Sequence, residues 1–63
     1  MSLLVETYYT NTDFDVCIFS KEDEYCVTEY DNVYNQHELK EKFKSLQEAE
    51  KYAQYLANQL TIE

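Results

Sequence analysis

The side chains that most often carry chemistry are scarce in this sequence, apart from carboxylates. His37 is the single histidine, so a Ser–His–Asp or Cys–His catalytic group would depend on that residue alone. We interpret His37 as a solvated residue of a loop or of a helix start. The chain contains no glycine, which excludes phosphate-binding loops and dinucleotide fingerprints because both need that residue. We therefore expect that the protein is not an enzyme and binds no cofactor.

Two short acidic runs offer oxygen ligands for a metal, but neither has the spacing of a calcium-binding loop. Residues 13–15 are Asp-Phe-Asp and residues 22–24 are Glu-Asp-Glu, without the glycine that the EF-hand turn requires. Cys17 and Cys26 lack a Cys-x-x-Cys or Cys/His ligand spacing. We expect no dedicated metal site. We interpret the cysteines as reduced thiols of a cytoplasmic protein, with a cross-strand disulfide as the alternative.

Negative charge is concentrated in the first part of the chain. The 63 residues include 13 acidic residues against five lysines, which gives a formal net charge of −8. Residues 1–35 hold eight acidic residues and one lysine, a net charge of −7, whereas residues 36–63 hold five acidic residues and four lysines, a net charge of −1. Direct binding to DNA, RNA or an anionic membrane is excluded because it needs a cationic patch.

Six of the acidic residues form pairs separated by a single residue. In an extended chain the two members of a pair project from the same side, about 6.6 Å apart, which is of the same order as the spacing of neighbouring phosphates. Tyrosines lie among these acids and offer their ring faces to cationic side chains. We therefore predict docking onto the basic surface of a nucleic-acid-handling protein through Asp13, Asp15, Glu22, Asp23, Glu24, Glu29, Asp31, Tyr25 and Tyr30.

The leading interpretation is a nucleic-acid mimic encoded by a phage or mobile element, acting as an inhibitor of the anti-restriction or anti-CRISPR type. Two other interpretations stay open. The acidic surface can serve solubility alone, with the strand tyrosines at the rim of a small core. The protein can also be a structural or assembly module that homodimerises through its sheet, because residues 14–19 carry apolar side chains on both faces of one strand.

The elements that must position these residues are strands followed by a helix. Alternating apolar and polar side chains predict strands at residues 3–10, 14–20 and 25–31. Short polar connections between them favour an antiparallel meander. Residues 36–44 fit either a fourth strand at the sheet edge, in which Leu39, Glu41 and Phe43 share a face, or a short helix. The strand is slightly favoured.

The C-terminal segment has the clearest helical pattern. A stripe with steps of three and four consists of Leu46, Ala49, Ala53, Leu56 and Leu60. Ser45 followed by Glu48 has the spacing of a capping box. We expect an α+β fold, with a three- to four-stranded antiparallel meander and one C-terminal amphipathic helix packed on one face, as a single domain over residues 1–63. The N-terminal residues lack the pattern of a signal peptide or a membrane span.

The start of the predicted helix, after a three-stranded sheet, resembles the β-β-β-α arm-binding domain of tyrosine-type phage integrases. The run that carries the resemblance is Phe43-Lys44-Ser45-Leu46-Gln47-Glu48-Ala49-Glu50-Lys51-Tyr52-Ala53. Those domains bind DNA with basic strands, whereas the corresponding strands here are acidic. No DNA-binding residue is therefore carried over to this chain.

Overall fold

Four strands and one helix form where the alternating and helical patterns occur. The computed structural model describes residues 1–62 and contains β1 Ser2–Tyr8, β2 Phe14–Lys21, β3 Glu24–Asp31, β4 Gln36–Phe43 and α1 Leu46–Leu60. The strands pair in the order β1-β2-β3-β4, and all three pairings are antiparallel. This confirms the predicted α+β meander with its C-terminal helix and the choice of a strand after residue 35. Glu63, the last residue of the predicted domain, lies outside the described residues.

Helix α1 begins at the predicted cap and covers one face of the sheet. The hydroxyl of Ser45 accepts a hydrogen bond from the backbone N–H of Glu48 at 3.4 Å. Ala49, Ala53 and Ala57 form its buried stripe. Because alanine is small, the helix axis can approach the sheet closely. No helix among residues 1–62 has the length and apolar character needed to cross a membrane.

The core between the helix and the sheet is small. Val16, Ile18 and Val27 are fully buried and pack with the alanine stripe of α1. Each such side chain contributes about 1.5–3 kcal/mol of burial free energy. Larger side chains close the margins of this core, namely Tyr8, Tyr25, Phe43, Leu46, Tyr52, Leu56 and Leu60.

A register shift in β1 changes which of its side chains share a face. The shift lies between Leu4 and Glu6, so that Leu4 pairs with Phe19 and Thr7 pairs with Cys17. Paired residues of an antiparallel ladder project to the same face. Leu4 therefore shares a face with Thr7, although strict alternation assigns them to opposite faces.

A second register shift occurs between β3 and β4, opposite Val27 and Thr28. It places Leu39 beside Thr28, whereas Phe43 pairs with Tyr25 on the helix side. The expectation that Leu39, Glu41 and Phe43 share one face is therefore wrong. The extra residue of a bulge resets the alternation of the strand that contains it.

Two turns contain a residue with positive φ in a chain without glycine. Glu22, in the β2–β3 turn, and Asn35, in the β3–β4 turn, each have a φ of 56°. Asparagine enters this left-handed region readily, whereas for most other residues it costs about 1 kcal/mol or more. The turn at Glu22 is therefore strained.

Candidate functional site

Three segments meet at one end of the sheet. The backbone N–H of Asn32 donates to the carbonyl oxygen of Asp13 at 2.8 Å, which joins the β3–β4 turn to the β1–β2 turn. The amide side chain of Asn11 exchanges two hydrogen bonds with the backbone of Ile62, so the end of α1 lies here as well. We call this region the acidic end and define it as residues 9–15, 30–36 and 60–62.

The acidic end contains carboxylates and no lysine. Its acidic residues are Asp13, Asp15 and Asp31. Lys21, Lys42 and Lys44 lie at the opposite end of the sheet, while Lys40 lies within β4 and Lys51 in the first half of α1. The C-terminal end of a helix carries roughly half a negative charge, and the last turn of α1 has no basic residue. The molecule is therefore electrically polarised along the strands.

The carboxylate of Asp15 connects two turns of the acidic end. Asp15 is 8 % exposed. Its carboxylate accepts hydrogen bonds from the backbone N–H of Thr10 and from the side-chain amide of Asn32, both at 2.9 Å. Asp13 is exposed and precedes β2. The expectation that Asp13 and Asp15 project side by side from an extended strand is therefore wrong, because the two turns bury the second carboxylate.

The exposed part of the acidic end includes two tyrosines that sequence reasoning missed as binding residues. Tyr9 and Tyr34 are 80 % and 72 % exposed. Asp31 lies beside Tyr34, and one of its carboxylate oxygens accepts the backbone N–H groups of Val33 and Tyr34 at 2.8 and 3.3 Å. The sequence could have indicated these two tyrosines, because both lie in or next to predicted turns that contain acidic residues.

The second predicted acidic run lies at the opposite end of the sheet. Glu22 and Asp23 are exposed at the tip of the β2–β3 turn. Glu24 begins β3, and its carboxylate lies 3.8 Å from the ammonium group of Lys44. Such a surface ion pair contributes little to stability, but it lowers the negative charge available to a partner. The predicted acids therefore do not form one continuous row.

The remaining predicted residues lie on the two faces of β3. Glu29 is on the helix side, 3.9 Å from the ammonium group of Lys40, and Tyr25 packs against the core there. Tyr30 is on the other side, where its hydroxyl donates to the side-chain oxygen of Asn35 at 2.6 Å. Tyr25 and Tyr30 therefore do not share a surface.

The face of the sheet turned away from α1 carries apolar side chains and has no second layer within residues 1–62. We call it the open face and define it by Leu4, Thr7, Cys17, Phe19, Cys26, Thr28, Tyr30, His37 and Leu39, which the strand register places on this side. Leu4 is 57 % exposed and Leu39 is 52 % exposed. The predicted occurrence of apolar residues on both sides of β2 is thus reflected in the fold.

His37 projects onto the open face from the edge strand β4. Its ring packs edge-to-face against Phe19 at 5.1 Å and lies 4.6 Å from the ring of Tyr30. Its Nδ1 is hydrogen-bonded to the hydroxyl of Thr28 at 2.9 Å. The interpretation of His37 as a residue of a loop or helix start is therefore wrong, because β4 holds it in the sheet beside aromatic neighbours.

Phe19 and His37 separate two hollows of the open face. The hollow toward the acidic end has a volume of about 320 Å³ and includes Tyr9 and Cys17 in its lining. The hollow toward the other end has a volume of about 280 Å³ and includes Lys21 in its lining. No group of three or more histidine, cysteine or acidic side chains within residues 1–62 is arranged to hold a metal ion.

Both cysteines are free thiols. Burial raises the pKa of the Cys17 thiol above its ordinary value, against the smaller opposing effect of its hydrogen bond with Thr7. A raised pKa disfavours the thiolate, which is the reactive form. Cys17 therefore serves as packing beneath the open face.

No known protein family, curated protein or solved structure matches this chain. The acidic end and the open face are the two surface features from which a function can be inferred.

Proposed function

We propose that this protein is a small non-catalytic inhibitor that docks on the basic surface of a nucleic-acid-handling protein and occupies it in place of DNA or RNA. One observation carries the proposal. At the acidic end, Asp13 and Asp31 lie in or beside turns that also expose Tyr9 and Tyr34, and every lysine of the chain lies elsewhere.

This combination of groups is complementary to a surface that binds nucleic acid. Such surfaces combine lysine and arginine side chains, which contact phosphates, with aromatic side chains on which bases stack. Carboxylates can replace the phosphates, and tyrosine rings can stack on aromatic or guanidinium groups. The helix terminus at the acidic end strengthens the attraction because its carbonyl groups carry partial negative charge.

The rest of the acidic surface contributes a second contact and long-range attraction. Glu22 and Asp23 lie across the length of β2 from the acidic end, about 26 Å away for eight residues in extended conformation. Single exposed ion pairs contribute about 0.2–1 kcal/mol, so tight binding needs several at once. The net charge of −8 also accelerates association with a cationic partner at low ionic strength. An inhibitor of this kind suits a phage or mobile element that acts against restriction or CRISPR proteins of its host.

The first experiment is competition with nucleic acid. The immobilised protein is exposed to a bacterial lysate at about 50 mM salt, and bound proteins are released at about 500 mM salt, where charge interactions are strongly screened. We expect a basic nucleic-acid-binding protein that added DNA or RNA also releases. If no retained protein is displaced by nucleic acid, the proposal is wrong.

The second experiment tests the acidic end with charge-matched variants. The double variant Asp13→Asn, Asp31→Asn removes two charges, and asparagine at position 31 keeps an oxygen for the turn hydrogen bonds. The control Glu41→Gln, Glu48→Gln removes two charges outside the acidic end. We expect about tenfold weaker partner binding for the first variant, since two ion pairs are lost, and a smaller effect for the control. Equal effects would refute the assignment to the acidic end.

A further inference from the structure

We propose that the open face is the interface of a homodimer, in which two copies of the chain pack sheet against sheet. The proposal goes beyond the proposed function, which uses the acidic end and needs no second copy. An antiparallel sheet can leave one face in water when that face is polar. Here the face instead exposes Leu4 and Leu39 and carries the half-buried rings of Phe19 and Tyr30 beside His37. Exposed apolar patches mark interaction surfaces.

The size of the open face fits a dimer interface. The molecule measures 34 × 23 × 15 Å. The outline of the open face is therefore at most about 780 Å². A standard protein–protein interface buries about 800 Å² on each partner, so nearly the whole face must be covered.

The shape of the open face permits a two-fold relation between copies. An interface of this type must be complementary to itself. Phe19 and His37 stand between the two hollows. If the second copy is shifted along the strands, its Phe19 and His37 side chains enter a hollow of the first copy. By symmetry, the same two side chains of the first copy enter the corresponding hollow of the second. Release of water from an apolar lining favours association.

Charge selects the direction in which the copies face each other. A two-fold axis across the strands places the acidic end of one copy over the opposite end of the other, where Lys21 and Lys42 offset the charge of Glu24 on the same face. An axis along the strands places the acidic ends over each other, where like charges repel. The register places both lysines on the side of the open face, because Lys42 pairs with Cys26 and Lys21 follows Phe19 by two residues. We infer the crosswise axis.

Sedimentation equilibrium between about 5 and 500 µM tests the dimer. We expect a mass approaching twice the 7.6 kDa of the chain as the concentration rises. Leu4→Lys and Leu39→Lys each place a cation on the open face and should weaken dimerisation about tenfold or more. Tyr55→Lys is the matched control, because Tyr55 is 59 % exposed on α1, and it should leave the dimer unchanged. Far-ultraviolet circular dichroism confirms that each variant is folded.

Lys21→Glu tests the orientation, with Lys51→Glu on α1 as the control of equal charge change. We expect several-fold weaker dimerisation for Lys21→Glu only. A monomer mass at about 500 µM would overturn the proposal, as would a dimer that persists in Leu4→Lys and Leu39→Lys. Equal effects of the two lysine variants would overturn the crosswise axis. Failure of partner binding alone leaves the dimer intact and overturns only the proposed function, so the two are tested separately.

Discussion

Replacement of Asp15 by alanine tests whether this carboxylate is structural or available to a partner. Asp15 is 8 % exposed and accepts hydrogen bonds from Thr10 and Asn32. Hydrogen bonds to a charged group contribute about 1.5–3 kcal/mol each. Because water can reach part of this site, we take the lower value and expect Asp15→Ala to destabilise the fold by about 3 kcal/mol. A chain of this length has a total stability of only about 3–9 kcal/mol.

The assay is urea unfolding followed by circular dichroism, at a protein concentration too low for the proposed dimer to form. A domain this small has an m-value of about 1 kcal/mol per molar urea, so the midpoint for Asp15→Ala should fall by about 3 M or the variant should be unfolded without urea. Asp15→Asn keeps one acceptor oxygen and should lose about half as much. Asp13→Ala in the same turn is the control, because only its backbone carbonyl is hydrogen-bonded, and it should change stability by less than about 0.5 kcal/mol.

Equal midpoints for Asp15→Ala and Asp13→Ala would refute this account of the acidic end. The carboxylate of Asp15 would then be free to meet a partner, as the sequence pattern alone predicts. A double-mutant cycle that combines Asp15→Ala with Asn32→Ala measures the coupling free energy between the two side chains. We expect this coupling to exceed about 1 kcal/mol, because the two residues are in direct contact.

Three further predictions concern the core and the titratable groups near β1. Ile18→Val should lower the free energy of unfolding by about 0.5–1.5 kcal/mol, measured by urea unfolding, because Ile18 is fully buried. Burial and a hydrogen bond to Glu6 raise the pKa of Tyr8 from 10.0 to about 12. Its stabilising contribution is therefore complete below pH 10 and is lost as the pH rises toward 12, so Tyr8→Phe should flatten the decline of the urea midpoint in that range. A hydrogen bond with Glu6 raises the pKa of Glu50 above 4.5. The stabilisation from this pair is present in acid and is lost as the pH rises, so Glu50→Gln should raise the midpoint at neutral pH and have a smaller effect in acid.

The helix and the strands could be predicted because their signals are local. The stripe from Leu46 to Leu60 and the cap at Ser45 depend on neighbours three and four residues away, and strand alternation depends on neighbours two residues away. The bulges at Val5 and Lys40 depend instead on how one strand pairs with the next. Their effect on Leu4 and Leu39 could not be read from either strand alone.

The acidic end required topology as well as charge counting. In an antiparallel meander the first and third turns lie at the same end of the sheet, and the second turn lies at the opposite end. Asp13 and Asp31 therefore come together, and Glu22 is separated from them. Counting charge by chain segment correctly located the excess of acidic residues in residues 1–35. The count also led to the expectation that these residues lie in one layer of the fold, whereas the two acidic runs lie at opposite ends of the sheet. The burial of Asp15 depends on donors from two turns, which no local spacing specifies.

The backbone at Glu22 links the stability of this molecule to its surface chemistry. Glu22 is held in the left-handed region, where glycine would relieve the strain and lose some of that gain to its greater freedom in the unfolded chain. Glu22→Gly should therefore make the domain more stable by a few tenths to about 1 kcal/mol. The same change removes a carboxylate from the second contact of the proposed inhibitor. If the proposed function holds, a variant selected only for heat resistance at this position binds its partner more weakly.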